Sequence, residues 1–210
     1  MDDDFADVAA VSTHRTERLQ KARNEIVHEL WGDIAFSHSL LCQVSLPYRC
    51  LDPVREYSRV SGRVSIRVTG GTILAPEGRG WRKLGLPYGA RARLLLLHLC
   101  SLAVKQDSAV VETEASFTAF CRSLGIATNG QNQKAIRKQI LRMSAVSLQL
   151  GWKEGRSLTV FQGPIFDGFR AQFTEHPDQI PMWSSEVQFS PRFFASLKNH
   201  AVPMDLRAIQ

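Results

Sequence analysis

Four cations recur at helical spacing near the middle of this chain: Lys134, Arg137, Lys138 and Arg142. Steps of three and four residues put them on or beside one side of a helix. The chemistry open to such a group is the neutralisation of phosphates. Ile136, Ile140 and Met143 mark an apolar face that would seat the same helix on a core. Lys153 and Arg156 fall at the tip of what reads as a following hairpin, and Arg91 and Arg93 open an earlier helix. That last pair either adds charge beside the others or is merely solvated. Gln131, Asn132 and Gln133 begin the cationic helix. Amides there either read base edges, cap the helix or touch phosphate.

The charge around these residues has one sign. No Asp or Glu lies between Glu114 and Glu154, or from Gly78 to Gln106. Over residues 78–153, 12 Lys/Arg stand against 3 acids (Asp107, Glu112 and Glu114), a balance of +9. The other residues hold 14 basic and 17 acidic groups, or −3, so the whole-chain +6 and pI of 9.4 arise from one segment. Charge concentrated in this way points to a polyanionic partner.

The elements that must position these cations can be read in order. Leu94, Leu95, Leu97, Leu99 and Leu102 predict a helix over Ala90–Val104 that is apolar on most sides, hence central to a core. Val110–Thr113 reads as a short strand. Ser116 is placed to cap a helix over Phe117–Leu124, which Gly125 stops. A turn over Ala127–Gly130 leads into the cationic helix, 131–144. Val146–Trp152 and Leu158–Phe161 then form a β-hairpin turning over Lys153–Arg156. This is the order of a winged helix, a helix-turn-helix followed by a β-wing, within an α+β fold. Upstream, a helix is expected over Thr16–Leu30, packed on its own domain or paired with a copy of itself. Val60–Thr69 alternates like one half-buried strand, and Pro76–Gly80 reads as a loop. Downstream, Glu186–Phe189 reads as a strand and Pro191 opens a helix through Asn199.

Other chemistries find little support. No glycine-rich loop precedes a Lys-Ser/Thr pair, and the six histidines are scattered. Nothing positions a nucleophile beside a base, so no enzyme and no cofactor is expected. Cys42, Cys50, Cys100 and Cys121 lack metal-binding spacing and read as buried thiols; no metal is expected. No run approaches 18 apolar residues, and Met1-Asp2-Asp3-Asp4 is unlike a secretory leader. The expectation is a cytoplasmic protein with no membrane partner.

Several short motifs also look familiar. Leu86-Pro87-Tyr88-Gly89-Ala90-Arg91-Ala92-Arg93-Leu94 resembles the opening of the main helix in RepA-type plasmid replication initiators. Phe117-Thr118-Ala119-Phe120 with Leu124-Gly125-Ile126, and the stretch Ile136–Ser144, are similar too. So are Val187–Ser190, Phe193–Lys198 and Val202-Pro203. The resemblance runs over roughly 40–210. It implies a bacterial protein that binds repeated double-stranded DNA sites at a plasmid origin, forms a homodimer and nucleates host replication proteins. It also implies two winged-helix domains, and this chain stops at Asp205–Gln210, where the family runs on into its second. The expected organisation is a disordered acidic tail (1–15), N-terminal helix and strand elements packing on the core (16–80), and a winged-helix DNA-binding and dimerisation domain (81–210). Two other readings stand beside it: a winged-helix transcriptional regulator, and a dimerisation module without DNA affinity of its own.

Overall fold

The computed structural model describes residues 34–75, 80–114, 116–169 and 186–205. The chain divides into two compact units, one of Phe36–Pro203 and one of Met1–Ala35 with Met204–Gln210. The second lies almost wholly outside the described residues, as do the expected acidic tail and the Thr16–Leu30 helix.

In chain order, strand β1 (Ile34–His38) leads into the short helix α1 (Ser39–Gln43). A hairpin follows, β2 (Glu56–Ser61) with β3 (Val64–Thr69), then a smaller one, β4 (Thr72–Leu74) with β5 (Trp81–Lys83). Next come helix α2 (Gly89–Gln106), strand β6 (Val110–Glu112) and helices α3 (Phe117–Ser123) and α4 (Gly130–Ser144). Strands β7 (Ser147–Glu154) and β8 (Ser157–Pro164) form a long hairpin. Strands β9 (Phe166–Phe169) and β10 (Glu186–Phe189), helix α5 (Pro191–Asn199) and strand β11 (Ala201–Asp205) follow. Helices and antiparallel sheets share one core, which makes the fold α+β.

Helix α2 is the centre because its sequence leaves it little polar surface. It buries Ala92, Leu95, Leu96, Leu97, Leu99, Cys100, Ser101 and Ala103. Against this cluster pack Ile136, Ile140 and Met143 from α4, Phe117 and Phe120 from α3, and Phe193 and Leu197 from α5. Each such side chain taken fully out of water contributes about 1.5–3 kcal/mol. Local caps set where the helices start. Ser116 Oγ accepts from the Ala119 amide at 3.1 Å, and Asn129 Oδ1 accepts from the Asn132 amide at 2.8 Å. Ser190 Oγ does the same for the Phe193 amide at 3.2 Å, with Pro191 in the first turn.

The largest sheet runs β2-β3-β7-β8, antiparallel throughout. Val64, Ile66 and Val68 of β3 register against Trp152, Leu150 and Leu148 of β7 and form its apolar face. Alternation therefore leaves Ser65, Arg67 and Thr69 on the outer face. The single strand expected over Val60–Thr69 is instead parts of two. The chain reverses at Gly62-Arg63, where Gly62 takes the left-handed φ of +58° that a tight hairpin turn demands. Gly155-Arg156 makes the same turn between β7 and β8, again with φ +58° at the glycine. Three smaller sheets, β6-β10-β9, β4-β5 and β1-β11, complete the described residues. Among these residues no helix is long and apolar enough to cross a membrane.

Candidate nucleic-acid interface

Helix α4 presents Lys134 and Lys138, one turn apart and both exposed, on the side opposite Ile136 and Met143. Neither ammonium has an ion-pair partner among the described residues. Arg91, at the start of α2, reaches this helix and donates to Asn132 Oδ1 at 2.8 Å. Asn132 in turn donates to the Ala127 carbonyl at 3.0 Å, and Gln133 donates to the Thr128 carbonyl at 3.1 Å. Of the readings open to these amides, the structure gives Asn132 and Gln133 the role of staples for the α3–α4 turn. Gln131 is exposed.

Two members of the expected cationic face, Arg142 and Arg137, are engaged within the fold. Arg142 is 4% exposed. Its Nη1 donates to the Leu86 carbonyl at 2.8 Å, its Nη2 pairs with the Asp52 carboxylate, and its guanidinium lies over the Tyr88 ring, 5.0 Å from the centroid. A guanidinium used in this way is a tie within the fold rather than a surface phosphate contact. Partial burial pushes the Asp52 carboxyl up. Hydrogen bonds from Arg142 and Cys50, with the charges of Arg142 and Lys138, outweigh that and hold it below the usual carboxylate range. Arg137 is half-buried with its guanidinium 4.5 Å from the Phe117 centroid, and its Nε is buried without a hydrogen-bond partner. It clamps α4 to α3 by cation–π packing. Arg93 is also half-buried, 5.3 Å from the Tyr48 centroid, with Nε donating to the Gly89 carbonyl at 3.4 Å.

Lys153 and Arg156 are exposed at the β7–β8 tip, and they are not alone there. The Lys153 amide donates to the Arg63 carbonyl at 3.1 Å, which sets the β2–β3 tip beside the β7–β8 tip. Arg63 is exposed, so this end of the sheet carries three cations. Reading 60–69 as one strand hid Arg63 in a strand face. The sequence did hold a signal: Gly-Arg follows a strand at both 62–63 and 155–156. Arg82 and Lys83 were also missed. They are exposed on β5 and open onto the same cleft as Lys138.

The cysteines divide. Cys100 and Cys121 are buried, and burial pushes both thiols up; Cys42 and Cys50 are exposed, against the expectation that all four are buried. No group of three or more potential metal ligands occurs among the described residues.

Residues 86–210 match the family described as "Plasmid encoded RepA protein", and the chain belongs to that family. The resemblance read from its short motifs therefore holds. No curated protein matches the chain. Two crystal structures of domains 2 and 3 of RctB are similar to it. One has a TM-score of 0.49 at 15% identity, covering 73% of this chain and 57% of that one. The other has a TM-score of 0.46 at 14% identity, covering 76% and 58%. The chain thus spans less than three fifths of either RctB chain.

Proposed function

We propose that this chain is a DNA-contacting part of a plasmid replication initiator, with α3 and α4 as a helix-turn-helix and β7–β8 as its wing. It binds repeated duplex sites at an origin and nucleates the host replication machinery. The observation that carries this reading is the pair Lys134 and Lys138, unpaired among the described residues and exposed on a helix whose other face is core. Cations at Arg91, Arg63, Lys153 and Arg156 extend the same sign to the neighbouring helix and the sheet tip. Contacts of this kind go to phosphates, so they position the protein without reading sequence.

The test is duplex affinity by fluorescence anisotropy as a function of salt, with origin repeats and with a scrambled duplex. These six cations predict a log–log slope of about −5. Preference for the repeats means that this chain reads sequence itself. A steep slope without preference makes it a positioning element. Absence of binding at low salt sinks the DNA reading.

One observation favours homodimer formation as a second property. Strand β8 closes its sheet among the described residues, and Leu158 and Val160 stand exposed along it. Such an edge is a template for a strand of another copy. Sedimentation over a concentration series, with Val160→Lys as the blocking variant, checks it; a wild-type protein that stays monomeric removes the dimer.

A further inference from the structure

A cleft of about 420 Å³ opens between the C-terminal half of α4 and the β4–β5 hairpin. Its walls carry Arg82, Lys83 and Lys138, and its floor carries Arg55, Arg142 and Asp52. The floor is built. Arg55 Nη2 donates to the Gly70 carbonyl at 2.5 Å and the Gly71 carbonyl at 2.7 Å, with Nε 3.4 Å from the Leu84 carbonyl. Arg142 is fixed by Leu86 and Asp52. Gly85 lets them close. A Cβ there would lie 1.8 Å from Asp52 Oδ1 and 3.2 Å from Arg142 Cζ, so a side chain would break that pair. The wall cations differ in kind. Arg82, Lys83 and Lys138 are exposed and have no hydrogen-bond or ion-pair partner among the described residues. Five cations around one cleft against a single carboxylate repel one another, and an anion seated among them relieves that repulsion.

We infer that this cleft is a phosphate clamp for the backbone of bound duplex DNA. Lys138, Arg82 and Lys83 close on one phosphodiester over a floor whose charge is already oriented. The inference rests on the DNA-binding reading and deepens it. Lys134 and Lys138 lie on one stripe of α4, so a strand tracking that helix arrives at the cleft mouth. The β4–β5 hairpin thereby becomes a third contact element, beside the helix and the sheet tip. Phosphate is the ligand the chemistry suits: ammonium and guanidinium donors face it from two sides, and the fixed floor needs no reorganisation when it enters.

The experiment compares the full chain with the Arg82→Gln/Lys83→Gln variant in salt-dependent anisotropy. An Arg59→Gln/Arg192→Gln variant serves as a charge-matched control, since both of its residues are exposed and neither lines the cleft. The expected result is a roughly tenfold loss of affinity, equal on origin and scrambled duplexes, with a slope shallower by about 1, as for one phosphate, and no comparable change in the control. Wild-type affinity and slope in the cleft variant overturn the clamp while leaving the DNA reading intact. An equal loss in the control also overturns it, because net charge alone then accounts for the effect. Absence of duplex binding by the wild-type chain overturns both readings. Thermal midpoints within a degree or two across the variants keep misfolding out of the comparison.

Discussion

Arg142 on α4 hydrogen-bonds the Leu86 carbonyl at 2.8 Å, across 56 residues of sequence. With Gln139, whose Oε1 accepts from the Tyr88 amide at 3.0 Å, it grips the segment that opens α2. Tyr88 is the N-cap of α2 and gives it no side-chain cap hydrogen bond. Helix α4 therefore organises the start of α2 with the residues it turns away from solvent.

Replacing Arg142 with Ala should cost about 2–4 kcal/mol of stability, since it leaves a buried carbonyl and a carboxylate without their donor. Denaturant unfolding reads this directly. A loss below about 0.5 kcal/mol, coupled with weaker DNA binding, would return Arg142 to the contact surface.

Lys134→Gln/Lys138→Gln should do the reverse. Both side chains are exposed, so stability should stay within about 0.5 kcal/mol of wild type. The slope of log affinity on log salt should become shallower by about 2, on all duplexes alike. An unchanged slope would remove α4 from the contact surface.

Ile136 is fully buried on the inner face of α4. Ile136→Ala should destabilise by about 2–5 kcal/mol. A chemical denaturation curve giving less than about 1 kcal/mol would contradict the packing described for this helix.

Stability should also fall in mild acid. His38 is buried, its Nδ1 accepts from the Leu40 amide at 3.2 Å, and its Nε2 therefore donates to Ser196 Oγ at 3.0 Å. Burial, and then the charge of His200 stacked 5.6 Å away, lower its pKa from 6.5 to about 4. The unfolded chain binds this proton first, so the neutral-His38 contribution is complete above about pH 6.5 and is lost as pH falls toward 4. The span corresponds to about 3 kcal/mol. Burial lowers His98 as well, with the same sign. Urea midpoints at pH 7.5 and 4.5 should differ accordingly, and a midpoint independent of pH would rule out the buried neutral histidine.

How far the chain could be read from its sequence depended on how local each signal is. The runs around Leu95, Phe117, Ile136 and Phe193 carry their own period, and the last three their own caps, so α2 to α5 lie within a residue or two of where periodicity puts them. Arg142 was misplaced for the opposite reason. Its spacing from Lys138 matches a solvated stripe, while the partners that draw it inward, Leu86 and Asp52, are 56 and 90 residues away. The packing of Arg137 on Phe117 is equally hidden from the sequence, because Phe117 sits on another helix. Arg63 was lost to a turn of two residues inside an alternating run, where the period of a strand continues through the reversal. Arg82 and Lys83 stood in the charge count. Only the pairing of β5 with β4 and the approach of Lys138 gather them into a cleft.

The two Gly-Arg turns have a mechanical meaning. Strands β3 and β7 share six registered pairs from Val64–Trp152 to Thr69–Ser147, and the two residues Ala145 and Val146 alone join α4 to β7. The tips are thus the far ends of a sheet joined to the helix by a short connection. On the proposed reading, a duplex held at both helix and tips would meet a gauge of set span. The strain of any mismatch would then fall on the DNA, and pyrimidine–purine steps, which yield most readily, would be the places where a good site gives way.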